Sequence, residues 1–169
     1  DSASAGVSAV SAQTMLSAGI HDAYTRGVSQ LLANEAVTEV ASGLASTEPN
    51  RCQAKFYSTT AAKFLADVRL SDEIFGATAL VIQCDSKDQM IKVAEHLEGQ
   101  LTATMQLNSD DTELAKRLLT VLEKKVGRVL CNGYPTGVEV CHAMVHGGPF
   151  PATSDSQTTS VGSAAILRF

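Results

Sequence analysis

From residue 78 to residue 132 the chain alternates between two hydrophobic periods, and that alternation limits its fold more than any other feature. Residues 78–84 are a short apolar run, suited to a strand covered on both faces. Ser86 then stands three residues before Gln89, the capping-box spacing, and Met90, Val93, Ala94 and Leu97 follow at helical spacing until Gly99. Residues 101–107 alternate apolar and polar side chains with period two, which predicts a second strand. Asp110 and Glu113 repeat the cap spacing, and Leu114, Leu118, Leu119, Leu122 and Val126 mark the inner face of a second helix that Gly127 ends. The acids of that helix lie at its start, and Lys124 and Lys125 at its end, as the macrodipole favours. Residues 128–132 read as the next strand. Strand–helix–strand–helix–strand with short connections predicts an α/β fold: a mostly parallel open sheet with helices on both faces. Ligands in such folds gather outside the carboxyl ends of the strands.

Upstream the signals are weaker. Residues 1–18, rich in Ala, Ser and Val, read as a helix with Val7, Val10 and Leu16 inward. Residues 20–36 read as a firmer one, with Ile20, Tyr24, Val28 and Leu31/Leu32 on its core face. Residues 43–51 are expected to be a loop, residues 53–58 a strand, and residues 160–168 a closing helix.

Residues 132–154 break all periodicity. The segment holds four of the twelve glycines, three of the four prolines and two of the four histidines. Proline removes a donor and fixes φ, and glycine permits positive φ, so this is no plain helix. A long irregular segment after a strand is uncommon unless it builds a site, and this one starts at a strand's carboxyl end with Asn132.

Two quoted stretches carry a family resemblance. Leu70-Ser-Asp-Glu-Ile-Phe-Gly76 stands just before the first apolar strand, and Asn132-Gly-Tyr-Pro-Thr-Gly-Val-Glu-Val-Cys-His-Ala-Met-Val-His-Gly-Gly-Pro-Phe-Pro-Ala-Thr-Ser154 follows the last. The first resembles the Glu-Glu-Ile-Phe-Gly-Pro segment of the aldehyde dehydrogenase superfamily, with Asp72 in place of the first Glu and Ala77 in place of the Pro. The second resembles the branch that holds the NADP-preferring α-ketoglutaric semialdehyde dehydrogenases and their fatty-aldehyde relatives. There Val145-His-Gly-Gly148 stands where Pro-Phe-Gly-Gly is commoner.

The resemblance implies site residues. Glu73 would hold the nicotinamide ribose hydroxyls, and Phe75 would pack beside the nicotinamide. A carboxylate suits the first role because charge-assisted hydrogen bonds are the strong ones. Pro135, Thr136 and Gly137 would touch substrate, although a turn also calls for Pro and Gly. His146 would line the aldehyde site; the alternative is a packed neutral histidine in a glycine turn, and any role as an assisting proton-transfer group rests on its titration near neutral pH. The implied cofactor is NADP, with NAD left open. The implied partners are an aldehyde substrate, the remainder of a longer enzyme and further copies in a homo-oligomer.

The resemblance covers the whole chain but only the last third of a full enzyme. Residues 1–169 are therefore expected to be the C-terminal part of a catalytic domain, without the dinucleotide-binding domain or the catalytic-Cys segment, and inactive alone. None of Cys52, Cys84, Cys131 and Cys141 has the family's nucleophile context, and their spacing matches neither a disulfide framework nor a zinc site. Cys84 and Cys131, at strand ends, read as small hydrophobes. Cys141 and His142 are neighbours on a strand-like segment and would point to opposite sides, so no Cys–His dyad is expected.

Composition narrows the rest. The net charge of −5 argues against nucleic acid as a bulk partner. Acid concentrates early, and the cations Lys116, Arg117, Lys124, Lys125 and Arg128 read as one solvated helix face and its exit. No apolar run reaches membrane length. The start lacks an initiator Met and the basic and apolar blocks of a signal peptide, so the expected compartment is the cytoplasm and the natural N-terminus is expected upstream. The rival to an enzyme part is a standalone non-catalytic α/β binding or assembly module.

Overall fold

A computed structural model describes residues 2–134, 141–142, 147–149, 151–152, 155, 157–159 and 161–167. The elements fall in two compact units, Asp1–Ser86 and Lys87–Phe169.

The first unit begins with helix α1 (Ser2–Ser8), the two-residue strand β1 (Gln13–Thr14) and helix α2 (Ala18–Leu32). The single helix expected over residues 1–18 is therefore wrong. It stops at Ser8, no residue of it is buried, and Leu16 is 92% exposed. Serine competes with helix by bonding nearby backbone, and Ser17 does so here: its hydroxyl accepts from Ile20 N at 3.3 Å and caps α2. Helix α2 buries Tyr24, Val28 and Leu31, the stripe its spacing implied.

Strand β2 (Thr38–Ser42), strand β3 (Arg51–Cys52) and strand β4 (Lys55–Thr60) follow, then helix α3 (Ala61–Ala66), a 3-10 turn (Val68–Ser71) and strand β5 (Thr78–Gln83). Strand β4 lies between antiparallel β2 and parallel β5, while β1 and β3 pair antiparallel. A parallel pair needs a crossover, and α3 with its 3-10 turn supplies it. Tyr57 and Phe64 are the largest fully buried side chains. Lys55 Nζ reaches Glu39 Oε2 at 3.2 Å and Ser42 Oγ at 2.7 Å, tying β4 to β2. The expectation that residues 78–84 are covered on both faces fails. Exposure alternates along β5, with Thr78, Leu80 and Ile82 half-buried and Ala79, Val81 and Gln83 exposed.

The second unit holds helix α4 (Lys87–His96), strand β6 (Gln100–Met105), a 3-10 turn (Ser109–Asp111), helix α5 (Thr112–Leu122), strand β7 (Val126–Cys131) and a 3-10 turn (Ser163–Leu167) in place of the closing α-helix. Strands β6 and β7 pair in parallel, joined through α5. Ala94, Met105 and Leu118 form the core, with Ile91, Leu107, Leu114, Leu122 and Val129 packed around it. Met90 and Leu119, expected inside, are 41% exposed each. The cap of α5 also sits elsewhere: Asp111 Oδ2 accepts from Asn108 N at 2.9 Å, and Glu113 instead pairs with Lys116 at 2.8 Å. Nor are the basic residues simply a solvated face. Arg117 meets Asp88 at 2.6 Å, and Lys125 Nζ donates to Leu97 O at 2.6 Å, satisfying a carbonyl just past the end of α4.

Candidate functional site

The run from Val68 to Gly76 is held from both ends and from its middle. At its start Asp67 caps the 3-10 turn: Oδ1 accepts from Arg69 N at 3.1 Å, and the carboxylate takes Arg69 Nε and Nη2 at 2.8 Å each. Asn34 Nδ2 adds a bond to Asp67 Oδ2 at 2.8 Å. These donors, Arg69 first and Asn34 second, hold the Asp67 carboxyl well below the usual carboxylate range. Leu70 is buried beneath.

In the middle, Ile74 turns inward. It packs against Tyr24, Val28 and Cys52 beside Met15 and Ala77. It lies so close to α2 that a Cβ placed on Gly27 would meet Ile74 Cγ2 at 3.0 Å. At the end, Gly76 has φ +151°, and a side chain there would strike the Tyr24 ring. That ring is fixed in turn: Tyr24 Oη donates to Gln53 O at 2.6 Å and stands 3.4 Å from Ala77 O. Burial pushes the Tyr24 phenol up. This run is therefore not a helix end closed by Gly76. The helix-like turn ends at Ser71, and Gly76 is needed for the close approach of Tyr24.

With Ile74 anchored inward, Glu73 and Phe75 are left outside. Both are exposed, Phe75 by 65%, and the Glu73 carboxylate has no partner among the described residues. A free carboxylate and an uncovered aromatic ring, two residues apart on a backbone locked at three points, make an acceptor pair beside a flat apolar surface. That chemistry suits a vicinal diol and an adjoining ring. Only the family resemblance pointed to both residues. It gave no sign of the Gly27 and Tyr24 contacts that fix them, because those partners lie some fifty residues upstream.

In the second unit the site candidates Pro135, Thr136, Gly137 and His146 lie outside the described residues. Their flanks are described. Asn132 ends β7 with φ +52°, and its side chain pairs with the neighbouring strand's exit. Oδ1 accepts from Leu107 N at 2.7 Å, and Nδ2 donates to Leu107 O at 3.1 Å. The carboxamide thus replaces one more backbone pair in the β6–β7 ladder. Gln106 Nε2 donates to Gly133 O at 3.1 Å, and Tyr134 is exposed. Asn132 N donates to Met105 O at 2.9 Å. The far flank is elsewhere. Gly147 and Gly148 lie against Gly127, and Pro149 against Gly99, at the amino ends of β7 and β6. The motif therefore starts at the carboxyl end of the strand pair, as expected, but returns to the opposite end.

Cys52 is buried, and Cys131 and Cys141 are exposed, so Cys131 is not the packed hydrophobe its strand position implied. Burial, and then the charge of Asp85, push the Cys84 thiol up. His142 Nδ1 lies 3.2 Å from Ser163 Oγ. No helix among the described residues is long and apolar enough to cross a membrane.

No protein-family model matches the chain. Curated relatives do. Over 158 residues, 94% of this chain, it is 51% identical to α-ketoglutaric semialdehyde dehydrogenase 2 of Azospirillum brasilense. It is 44% identical to α-ketoglutaric semialdehyde dehydrogenase of Acinetobacter baylyi over 93% of its length. In both cases the chain spans 30% of the relative's length. Among solved structures, Δ-pyrroline-5-carboxylate dehydrogenase from Mycobacterium tuberculosis shares the fold with a TM-score of 0.65 at 19% identity, over 91% of this chain and 27% of that one. A salicylaldehyde dehydrogenase from Pseudomonas putida G7 follows with 0.61 at 19% identity, over 92% of this chain and 29% of that one. Over nearly its whole length the chain is thus similar to part of two α-ketoglutaric semialdehyde dehydrogenases, and it shares its α/β fold with solved aldehyde dehydrogenases.

Proposed function

We propose that this chain is the C-terminal part of the catalytic domain of an NADP-dependent enzyme that oxidises α-ketoglutaric semialdehyde to its carboxylic acid. The observation that carries the reading is the Glu73–Phe75 pair, a carboxylate with no partner among the described residues and an exposed ring, presented by an anchored backbone. The names of the two curated relatives support the aldehyde, and the description of the mycobacterial dehydrogenase as bound with NAD supports a nicotinamide cofactor.

Glu73 accepts hydrogen bonds from both nicotinamide ribose hydroxyls, and Phe75 lies beside the ring and limits its tilt. When bound, the nicotinamide supplies a two-electron oxidant. Pro135, Thr136, Gly137 and His146 form one wall of the substrate tunnel. The thiol nucleophile, the general base and the dinucleotide-binding domain belong to the remainder of the protein, which assembles as a cytoplasmic homo-oligomer.

The test uses the full-length protein. Aldehyde-dependent NADPH formation with α-ketoglutaric semialdehyde is expected from it, and none from residues 1–169 alone. Glu73→Gln should slow hydride transfer in single turnover by one to two decades, since a charged acceptor for two hydroxyls is worth about 1.5–3 kcal/mol. Unchanged single-turnover kinetics would remove Glu73 from the cofactor site. No turnover of any aldehyde by the full-length protein would remove the enzyme reading.

A further inference from the structure

We propose that Gly99 and Gly127 are positioning residues: together they form a side-chain-free seat that fixes the backbone of Gly147, Gly148 and Pro149 and, through it, the substrate wall. The wall half of this inference rests on the proposed function, because His146 directly precedes Gly147 in the chain.

Both glycines look like helix stops in the sequence, and neither is one. Gly127 is the second residue of β7. Neither Gly99 nor Gly127 has positive φ, so the need for glycine is not conformational. It is a need for space. A Cβ on Gly127 would run into the Gly147 carbonyl and reach Gly148 O at 3.1 Å. A Cβ on Gly99 would run into the Pro149 ring, with Cδ at 2.9 Å. The returning segment is shaped to match. A Cβ on Gly147 would meet Ala152 Cβ at 2.7 Å, and Gly148 lies beside Gln100 O.

The two contacts differ in what can yield. At Gly127 the obstacle is backbone, which moves only by displacing the segment. At Gly99 it is a ring that a second substitution can remove. The pair lies at the amino ends of β6 and β7, where Gln100 N donates to Lys125 O at 2.9 Å and keeps the strand starts in register. A shift of the seat therefore falls first on Gly147, Gly148 and Pro149, which directly follow His146 in the chain. Small displacements of substrate-positioning groups have large kinetic consequences.

The experiment uses the full-length protein and four variants: Gly127→Ala, Gly99→Ala, Pro149→Ala and Gly99→Ala with Pro149→Ala. Gly6→Ala is the control, because nothing lies within 4 Å of a Cβ there. Gly127→Ala should raise KM for the aldehyde on the order of tenfold and shift preference among aldehydes, while KM for NADP stays at the wild-type value. Gly99→Ala should do the same more weakly, and adding Pro149→Ala should return KM and melting temperature toward wild type. If Gly127→Ala does not fold, the Gly99 series decides alone. Wild-type aldehyde KM in the folded variants overturns the positioning role. Simple additivity of the Gly99 and Pro149 changes in melting temperature overturns the seat. If the full-length protein oxidises no aldehyde, the function reading and the wall half fall together, and the coupling in melting temperature still decides the seat by itself.

Discussion

Two segments carry the site candidates, and they are held in opposite ways. The run from Asp72 to Gly76 is anchored at its middle by a side chain: Ile74 sinks against Gly27 and the Tyr24 cluster, and the residues on either side face outward. The segment after β7 is anchored at its two flanks by backbone: Asn132 pairs its carboxamide with Leu107, and Gly147 to Pro149 rest against glycines. A side-chain anchor displays its immediate neighbours rigidly, which suits a cofactor common to a superfamily. Flank anchors fix only the two ends of the stretch they bound.

The largest effect that could break this contrast is expected at Gly76. Alanine there must adopt φ +151°, which costs about 1–3 kcal/mol, and must displace the Tyr24 ring, which costs a further 1–3 or so. Gly76→Ala should therefore lower stability by roughly 3–5 kcal/mol in denaturant titration. A loss below about 1 kcal/mol would mean that the run is not clamped by Tyr24. Ile74→Ala comes next, at roughly 2 kcal/mol for a half-buried aliphatic side chain. It sharpens the comparison because cofactor binding by the full-length protein should weaken although neither Glu73 nor Phe75 is touched. Unchanged cofactor affinity would show that the anchor does not set their position.

How far these features were legible follows from where their causes lie. The capping and period signals between residues 78 and 132 mark β5, α4, β6, α5 and β7 because each is a local pattern. Strand β2 was missed: Thr38-Glu-Val-Ala-Ser42 is exposed along most of its length and shows little alternation. Helix α3 was missed because six residues give less than two turns of periodicity. Gly99 and Gly127 read as helix ends in the sequence, since a glycine's local meaning is a stop, and the constraint on Gly76 is equally hidden there. Their actual causes are Pro149, Gly147 and Tyr24, partners distant in sequence that no local pattern encodes. Glu73 and Phe75 were legible only through resemblance, because a lone acid and a lone aromatic have no period.

A smaller effect tests the other anchor. Asn132 contributes both a left-handed backbone and two side-chain bonds. Asn132→Ala loses the bonds and keeps the strained φ, for a cost of about 2 kcal/mol. Asn132→Gly loses the same bonds but relieves φ, so about 1 kcal/mol should return. Equal losses for Ala and Gly would mean that the backbone conformation plays no part in holding this flank.

The smallest effect separates the two units by pH. Tyr57 is fully buried on β4, and its hydroxyl has no hydrogen-bond partner among the described residues. Burial, then the charge of Glu39, then Tyr24, push its pKa up to about 12. Its unfolded value is near 10, so the folded state keeps the proton longer than the unfolded one. The contribution is full below about pH 10 and is lost as pH rises from 10 toward 12, on the order of 1–2 kcal/mol. Asp67 has the opposite sign: held low by Arg69 and Asn34, it adds stability above about pH 4 that is lost as the medium becomes more acid. Among the described residues the groups that anchor the second segment, Asn132, Gly99 and Gly127, do not titrate. In circular dichroism melts the stability offset of Asn132→Ala should therefore stay constant from about pH 7 to 12. Tyr57→Phe should be neutral or mildly stabilising at pH 7, since it removes an unpartnered buried hydroxyl, and its advantage should grow through the alkaline range. An Asn132→Ala offset that grows with pH, or a flat Tyr57→Phe offset, would erase the distinction between a titrating side-chain core around the first segment and non-titrating backbone anchors around the second.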